Sequence, residues 1–432
     1  MKPPITSPLS RRSFLSTSTG ALAGSAILSG VPLIGRAADN KTLKVALVGC
    51  GGRGSGAASQ AISADPNVVL TAMGDVFSDR LEQSYQNLSK MHGDKVKVDP
   101  DHRFVGLDAI DKILATDIDV IILTTPPGFR PEHFEKSVNA GKHIFCEKPI
   151  ATDAVGVRRF LAAAAESKKK GLGVQSGFCW RSHYAERETF KRIESGMIGE
   201  VRAAYGTYLG STPWSKERKP EWTDLEYQLR NWIHMNWLSG DHLVEQAVHT
   251  VDKMLWAFGD AAPISCTGQG GRQQRVEDQF GNVFDHFTIV YEFPNAARGI
   301  IACRQQQGCA SDVSDHILGT KGVVRQTSGR MNVIEAGTER WKFEGEKNDM
   351  YQTEHDEFFA SIRAGKPFNF AEKLAHTTLV AIMGRMSAYT GQTVTWDQML
   401  NSQENLQPQE ALDFKMKLPI APAPMPGRTK FV

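Results

Sequence analysis

Two groups of residues in this chain of 432 are of types and spacings that could do chemistry. The first is Gly49-Cys50-Gly51-Gly52-Arg53-Gly54, in which Gly49, Gly51 and Gly54 fit G-x-G-x-x-G. It follows the apolar run Leu43–Val48 and opens a small-residue segment with Ala57, Ala58, Ala61 and Ile62. A second apolar run over 68–73 ends at Asp75. In a strand–turn–helix context Gly49 permits the tight turn, and Gly51 lets backbone approach a pyrophosphate. Gly54 lets helix and strand pack closely, and the free N–H groups of the helix N-terminus receive phosphate. Asp75 suits a ribose diol and repels a 2′-phosphate, which favours NAD over NADP; the nearby Arg80 tempers that preference. The second group is Glu245 and His249, at i and i+4. If residues 241–257 form one helix, the pair shares a face, with His242 and Asp252 close to it. Two other readings of this segment stand beside a catalytic one. In the plainer, the acids and histidines of a half-exposed helix are solvated or capping. In the other, His242, Glu245 and His249 are three ligands for Zn²⁺ or Mn²⁺, although the dinucleotide motifs account for Glu245 and His249 without a metal.

The elements that must position these residues change character along the chain. Up to about residue 176 strands alternate with helices: Asp119–Leu123 ends in Thr124-Thr125-Pro126-Pro127, and His143–Cys146 is closed by Glu147-Lys148-Pro149. A long helix over about 153–169 and a strand at 173–175 follow. Such alternation predicts an α/β fold with a parallel, doubly wound sheet whose ligands sit at the C-terminal strand edge, where Thr125, Pro126, Glu147 and Lys148 lie. From about Gly177 a helix over 183–196 leads to strand-like runs at 201–208, 264–268, 285–293, 299–303, 313–319 and 323–327, an open, mostly antiparallel sheet. Two late helices, 350–364 and 371–390, could pack back on the first domain. A loop with Trp214, Trp222, Tyr227, Trp232 and Trp237 separates the first of these runs from the Glu245 segment. The expected organisation is 1–37 as a leader, 41–176 as a dinucleotide domain, 177–400 as a substrate domain, and 401–432 as an extended, proline-containing tail.

Residues 1–37 hold Lys2, Arg11, Arg12 and Arg36 and no acid, so they carry +4 of a formal net charge of +2 and leave the remainder at −2. A slightly acidic body has no general attraction for phosphate backbones, which argues against a nucleic-acid partner. Ser10-Arg11-Arg12-Ser13-Phe14-Leu15, a weakly apolar stretch and Gly35-Arg36-Ala37 form a twin-arginine signal pattern, which predicts the twin-arginine export machinery as a partner and a periplasmic location. No segment has the apolar length of a stable membrane span. The six cysteines form no C-x-x-C pair and are expected to be reduced.

With the glycine loop in place, Gly-Lys-His-Ile-Phe-Cys-Glu-Lys-Pro over 141–149 resembles the Gfo/Idh/MocA oxidoreductases, and the likeness extends over nearly all of the chain after the leader. The resemblance implies an N-terminal Rossmann NAD-binding domain and a C-terminal α+β domain. It implies oxidation of a secondary hydroxyl on a sugar, glycoside or cyclitol, and homo-oligomers such as dimers or tetramers. It assigns Lys148 to cofactor positioning and catalysis, with Gly52, Arg53, Thr125, Pro126, His133 and Glu147 beside the cofactor. The acid-x-x-x-His pair of the family falls on Glu245 and His249. His249 is then the expected base, oriented by Glu245, with Lys148 as the alternative base. Arg181, Tyr184, His234, Asp241, His242 and the loop tryptophans are candidate substrate contacts. Three activities remain open: a dehydrogenase that releases NADH, an oxidoreductase with retained NAD, and a glycoside hydrolase working through transient NAD-dependent oxidation, as in family α-N-acetylgalactosaminidases.

Overall fold

The computed structural model describes residues 41–327 and 330–432. The twin-arginine pattern therefore lies outside the described residues. The near-continuous apolar runs of the first domain become buried parallel strands, because helices cover both faces of their sheet. These strands are β1 (Leu43–Val48), β2 (Val68–Asp75), β3 (Arg103–Val105), β4 (Val120–Leu123), β5 (His143–Cys146) and β6 (Val174–Ser176), ordered β3-β2-β1-β4-β5-β6. The reversal of order between β1 and β4 opens a crevice at their C-terminal ends. Around them run α1 (Gly52–Ala64), α2 (Ser78–His92), α3 (Ala109–Leu114), α4 (Arg130–Asn139) and α5 (Ala154–Lys169).

The second domain begins with α6 (Tyr184–Glu194) and the long strand β7 (Val201–Gly210). Then come α7 (Asp224–Arg230), α8 (Asn236–Ser239), α9 (His242–Glu245) and α10 (Val248–Ala257). The strands β8 (Ser265–Gly271), β9 (His286–Glu292), β10 (Arg298–Gln305), β11 (Ser314–Gly319), β12 (Gly322–Thr327), β13 (Met331–Ala336) and β14 (Glu339–Lys342) follow, with β15 (Val394–Thr395) at the far edge. The nine-stranded sheet runs β14-β13-β12-β11-β7-β10-β9-β8-β15 and is antiparallel except where β10 pairs parallel with β7. One face is covered by helices. Tyr205 and Leu318, on the neighbouring strands β7 and β11, are exposed on the sheet.

The late helices α11 (Met350–Arg363) and α12 (Ala371–Thr390) join the two halves. On α11, Arg363 pairs with Asp65 at 2.8 Å, and the Gln352 amide donates to the Gln60 carbonyl on α1 at 3.0 Å. The sixth residue of α11, His355, stacks on Phe145 of β5 with ring centroids 4.2 Å apart, and neither ring nitrogen has a hydrogen-bond partner. Burial, then the charge of Arg53, holds its pKa well below the ordinary value. A histidine kept neutral in the fold but charged when unfolded removes stability as pH falls below about 6.5, at about 1.4 kcal/mol per pH unit, and removes none above it. His355→Phe is therefore expected to raise the melting temperature markedly at pH 5 and little at pH 8. An equal change at both pH values in thermal melts would contradict this.

Candidate active site

The glycine loop shows the steric signature of a phosphate cradle. Gly49 has φ +95°, and its amide donates to the Gly74 carbonyl at 2.9 Å. A Cβ on Gly54 would lie 1.9 Å from the Gly49 carbonyl oxygen, whereas Cβ atoms on Gly51 or Gly52 would meet nothing within 4 Å. The loop is thus closed against β1 and open on its outer side, where it faces a cavity of about 600 Å³. That size suits a ligand larger than a simple metabolite. Gly49, Gly51, Gly52, Arg53, Gly54, Asp75, Thr125, Pro126 and His133 all line it. Asp75 accepts from Cys50 N at 2.7 Å and from Phe77 N at 2.9 Å, so it braces the loop while keeping lone pairs for a diol. Burial raises its pKa, although those two amides and Arg80 oppose the shift. His133 is pushed down to about 4 by burial, sits 3.3 Å from the Thr125 hydroxyl and stacks on Phe129. An NAD-sized group fits this set: open backbone N–H groups for the diphosphate, a carboxylate for the ribose and an apolar wall.

Glu147 and Lys148 leave β5 beside this cavity without lining it. The Glu147 carboxylate receives Arg53 Nε at 2.5 Å, and Arg53 also reaches Glu354 at 3.3 Å. Burial pushes Glu147 up, but Arg53 and Lys148 outweigh it and hold the group ionised. Glu354, buried beside that charge, is driven well above the usual carboxylate range. Arg53 thus fastens the glycine loop to the strand that carries Lys148 and to α11. The Lys148 ammonium donates to the Glu245 carbonyl at 2.5 Å and to Glu245 Oε1 at 3.3 Å.

That contact corrects the expected geometry of residues 241–257. They are not one helix. In a continuous helix the Glu245 carbonyl would accept from His249 N. Here Lys148 takes that carbonyl, and His249 N turns to Gln246 O at 3.5 Å. Ala247 N bonds back five residues to His242 O at 2.9 Å, and the Gln246 carboxamide is held by Gln305 at 2.8 Å. Single π-type turns of this kind are common at functional sites. The expected Glu245–His249 contact is also corrected: the Glu245 carboxylate holds Lys148, not the imidazole. His249 opens α10 with Nδ1 buried and unpartnered, its ring edge-on to Phe178 at 6.0 Å. Burial first, then the charges of Lys148, Lys253 and Arg53, depress its pKa well below the ordinary value. The site therefore holds an unprotonated imidazole next to a carboxylate-clamped ammonium.

Arg181, Tyr184, His234, Asp241 and His242 do not line the dinucleotide cavity. Arg181 is bound by Asp252 at 2.8 Å and Asp260 at 2.5 Å. Asp241, at φ +74°, spends its carboxylate on His242 N, Phe284 N and the Tyr389 hydroxyl, holding a strained turn. His242 pairs with Asp241, and His234 lies between the Trp214 carbonyl and Arg275, so neither faces the cavity. Tyr184 is exposed at the start of α6. The triplet His242, Glu245 and His249 is not assembled as metal ligands; among the described residues only the Asp99, Asp101 and His102 side chains cluster within such reach. The loop tryptophans also depart from expectation: Trp214 and Trp232 wall the cofactor cavity, together with Lys216 and Arg230. Composition marks this loop as aromatic, but nothing in its spacing shows that it folds over the first domain. Lys253, one turn after His249, is a further residue that spacing alone does not mark; it is buried against Asp315.

Comparison with known proteins agrees with this geometry. Residues 43–176 match the model of an oxidoreductase family's NAD-binding Rossmann fold, and residues 191–388 match the same family's C-terminal alpha/beta domain. The inositol 2-dehydrogenase of Rhizobium meliloti is 26% identical over 322 residues, spanning 74% of this chain and 86% of its own length. The 2,7-anhydro-N-acetylneuraminate hydratase of Escherichia coli is 25% identical over 237 residues, 53% of this chain and 58% of its own. In fold the chain is similar to the aldose-aldose oxidoreductase of Caulobacter crescentus, with a TM-score of 0.67 at 19% identity over 82% of this chain and 100% of that one. It is similar also to levoglucosan dehydrogenase in complex with NADH and levoglucosan, with a TM-score of 0.64 at 20% identity over 82% of this chain and 99% of that one. This chain belongs to the Gfo/Idh/MocA oxidoreductase family, with an NAD-binding Rossmann domain at its N-terminal end.

Proposed function

We propose that the protein oxidises or reduces a secondary hydroxyl of a sugar, glycoside or cyclitol, and that its NAD stays bound between turnovers. The observation that carries this reading is the placement of clamped Lys148 and the half-buried His249 imidazole beside a covered dinucleotide cleft. NAD supplies the hydride acceptor or donor. Lys148, with two of its three ammonium protons directed at Glu245, keeps one for the reacting oxygen. His249, its imidazole kept neutral at neutral pH, takes the hydroxyl proton on the ring edge left exposed to the site. Glu245 is the positioning residue for Lys148. The inositol, aldose and levoglucosan enzymes among its relatives and fold neighbours support the substrate class.

A covered cofactor cleft also favours a redox-neutral second reading, glycoside hydrolysis through transient oxidation, in which the dinucleotide ends each cycle as it began. Adding single sugars, cyclitols and glycosides to the purified protein without free NAD separates the two. Reduced-nicotinamide absorbance that persists until a second carbonyl compound is added supports the oxidoreductase. Release of aglycone without net reduction supports the hydrolase, and neither response to any member of the panel would remove both.

The twin-arginine pattern over residues 10–37 fits export of the folded, loaded protein to the periplasm, where free NAD is scarce. A signal-deleted form found equally in the periplasm would refute this. We further assign self-association to the outer face of the second sheet, where Tyr205 and Leu318 are exposed. Leu318→Asp is expected to lower the mass read by light scattering from a dimer or tetramer to a single chain. A wild type that is already a single chain contradicts that assignment.

A further inference from the structure

The cavity wall is completed from the second domain. Trp214, Ser215, Lys216, Leu229, Arg230 and Trp232 line it, and all come from the excursion between β7 and α9. This lid is internally tied: Asn231, fully buried, accepts Lys216 N at 2.7 Å and donates to the Lys216 carbonyl at 3.0 Å. Its direct hold on the first domain is apolar packing, with little polar contact. Arg230 stacks on Phe77 at 3.9 Å and meets the exposed Asp79 at 3.1 Å, an ion pair of the kind that contributes little in water.

A second segment lies on the lid. In Leu412-Asp-Phe414-Lys-Met416-Lys-Leu418-Pro-Ile420 the apolar side chains alternate with polar ones and proline. Leu412, Phe414, Met416, Leu418 and Ile420 are half-buried, and the residues between them are exposed. The five enter one apolar cluster with Leu225, Tyr227 and Leu229 of the lid and with Val76, Phe77 and Leu107 of the first domain. The Leu418 backbone is captured on both sides by α7: its amide donates to Asp224 Oδ2 at 3.0 Å, and its carbonyl accepts from Gln228 Nε2 at 2.6 Å. The segment is tied down on each side as well. Leu406 N donates to Asp153 at 2.8 Å, and Gly427 N donates to the Thr390 carbonyl at 2.9 Å.

We infer that residues 412–420 are a strap that locks the lid over the dinucleotide cleft and so sets how long the cofactor stays bound. Lifting the lid means peeling five apolar side chains from their cluster and breaking both bonds of Leu418. Arg80, Lys216 and Arg230 gather at the covered end, where the Lys216 pKa is lowered by burial and by the two arginines, so the closed lid also surrounds an anionic ligand with cations. The inference rests on the retained-NAD reading above.

The test uses the full chain loaded with NADH. Bound-NADH fluorescence is followed after addition of an enzyme that consumes only free NADH. Phe414→Ser with Leu418→Ser is expected to speed release by about 30-fold, and the milder Asp224→Ala by about threefold, with far-UV circular dichroism unchanged. If the double variant does not fold, Asp224→Ala decides alone. Release within about twofold of wild type from the folded variants overturns the strap. A wild type that itself loses NADH within one turnover overturns the retained-cofactor reading instead.

Discussion

Lys148→Met is expected to lower kcat by about 10³-fold while leaving NAD bound. The methionine keeps the unbranched stem but ends one atom short of Nζ, so it removes every proton that Lys148 directs at Glu245 and at the reacting oxygen. The glycine loop, Asp75 and the lid are untouched, so cofactor content should not change. The same variant carries a second readout. The Lys148 charge is one of the causes that depress His249, after burial. Removing it should move the His249 pKa upward, and with it the acid limb of the residual rate. The direction follows from the sign: a nearby cation opposes imidazolium, so its loss favours protonation at higher pH. A pH–rate profile with an unmoved acid limb would show that His249 does not titrate in the reaction. A rate within tenfold of wild type would remove Lys148 from the chemistry.

Gly54→Ala is expected to abolish cofactor loading. The added Cβ would sit 1.9 Å from the Gly49 carbonyl oxygen and 2.6 Å from the Thr124 hydroxyl, and the first is backbone that cannot swing aside. Either the loop or the start of α1 must shift, and the amides aimed at the diphosphate shift with it. Dinucleotide recovered from the denatured variant should fall below about a tenth of wild type, with a loss of about 1–3 kcal/mol in stability. Gly51→Ala is the matched control, since its Cβ would meet nothing within 4 Å. It should fold as the wild type does and lose cofactor only through crowding of the ligand. Full loading of Gly54→Ala would mean that the loop is not the cradle.

Much of this was legible in the residue order. The first domain was readable because its strands are short apolar runs punctuated by glycine and proline, and because Gly49, Gly51, Gly54 and Asp75 each answer a steric or polar demand. Six strands of the second sheet were readable from β-branched and aromatic runs. The strands at 331–336, 339–342 and 394–395 were missed: β14 and β15 are short edge strands with few apolar residues, and Asn332 and Glu335 break up the apolar run of β13. Parallel pairing of β10 with β7 is a tertiary fact that periodicity does not encode.

The site was legible as a set of residues and not as a set of contacts. Lys148, Glu245 and His249 do converge on one edge. Their wiring differs because Lys148, 97 residues before Glu245 in the chain, takes a carbonyl that helix periodicity assigns to His249. Arg181, Asp241 and His242 resemble substrate groups by type, yet each is consumed by a partner that folding supplies. The lid and its strap were hidden for a related reason. The alternation over 412–420 is visible in the sequence, but the surface it covers is made by residues distant in the chain, in the lid and in the first domain.

The most direct test of the account is the dinucleotide content of the protein as purified without added cofactor. The protein is denatured, and NAD(H) and NADP(H) are quantified per chain. The account predicts close to one NAD(H) per chain and almost no NADP(H), because the Asp75 carboxylate in the cavity wall would repel a 2′-phosphate and the lid and strap cover the cleft. An empty protein that binds NAD weakly and exchanges it freely would contradict the closed cleft and the retained cofactor together.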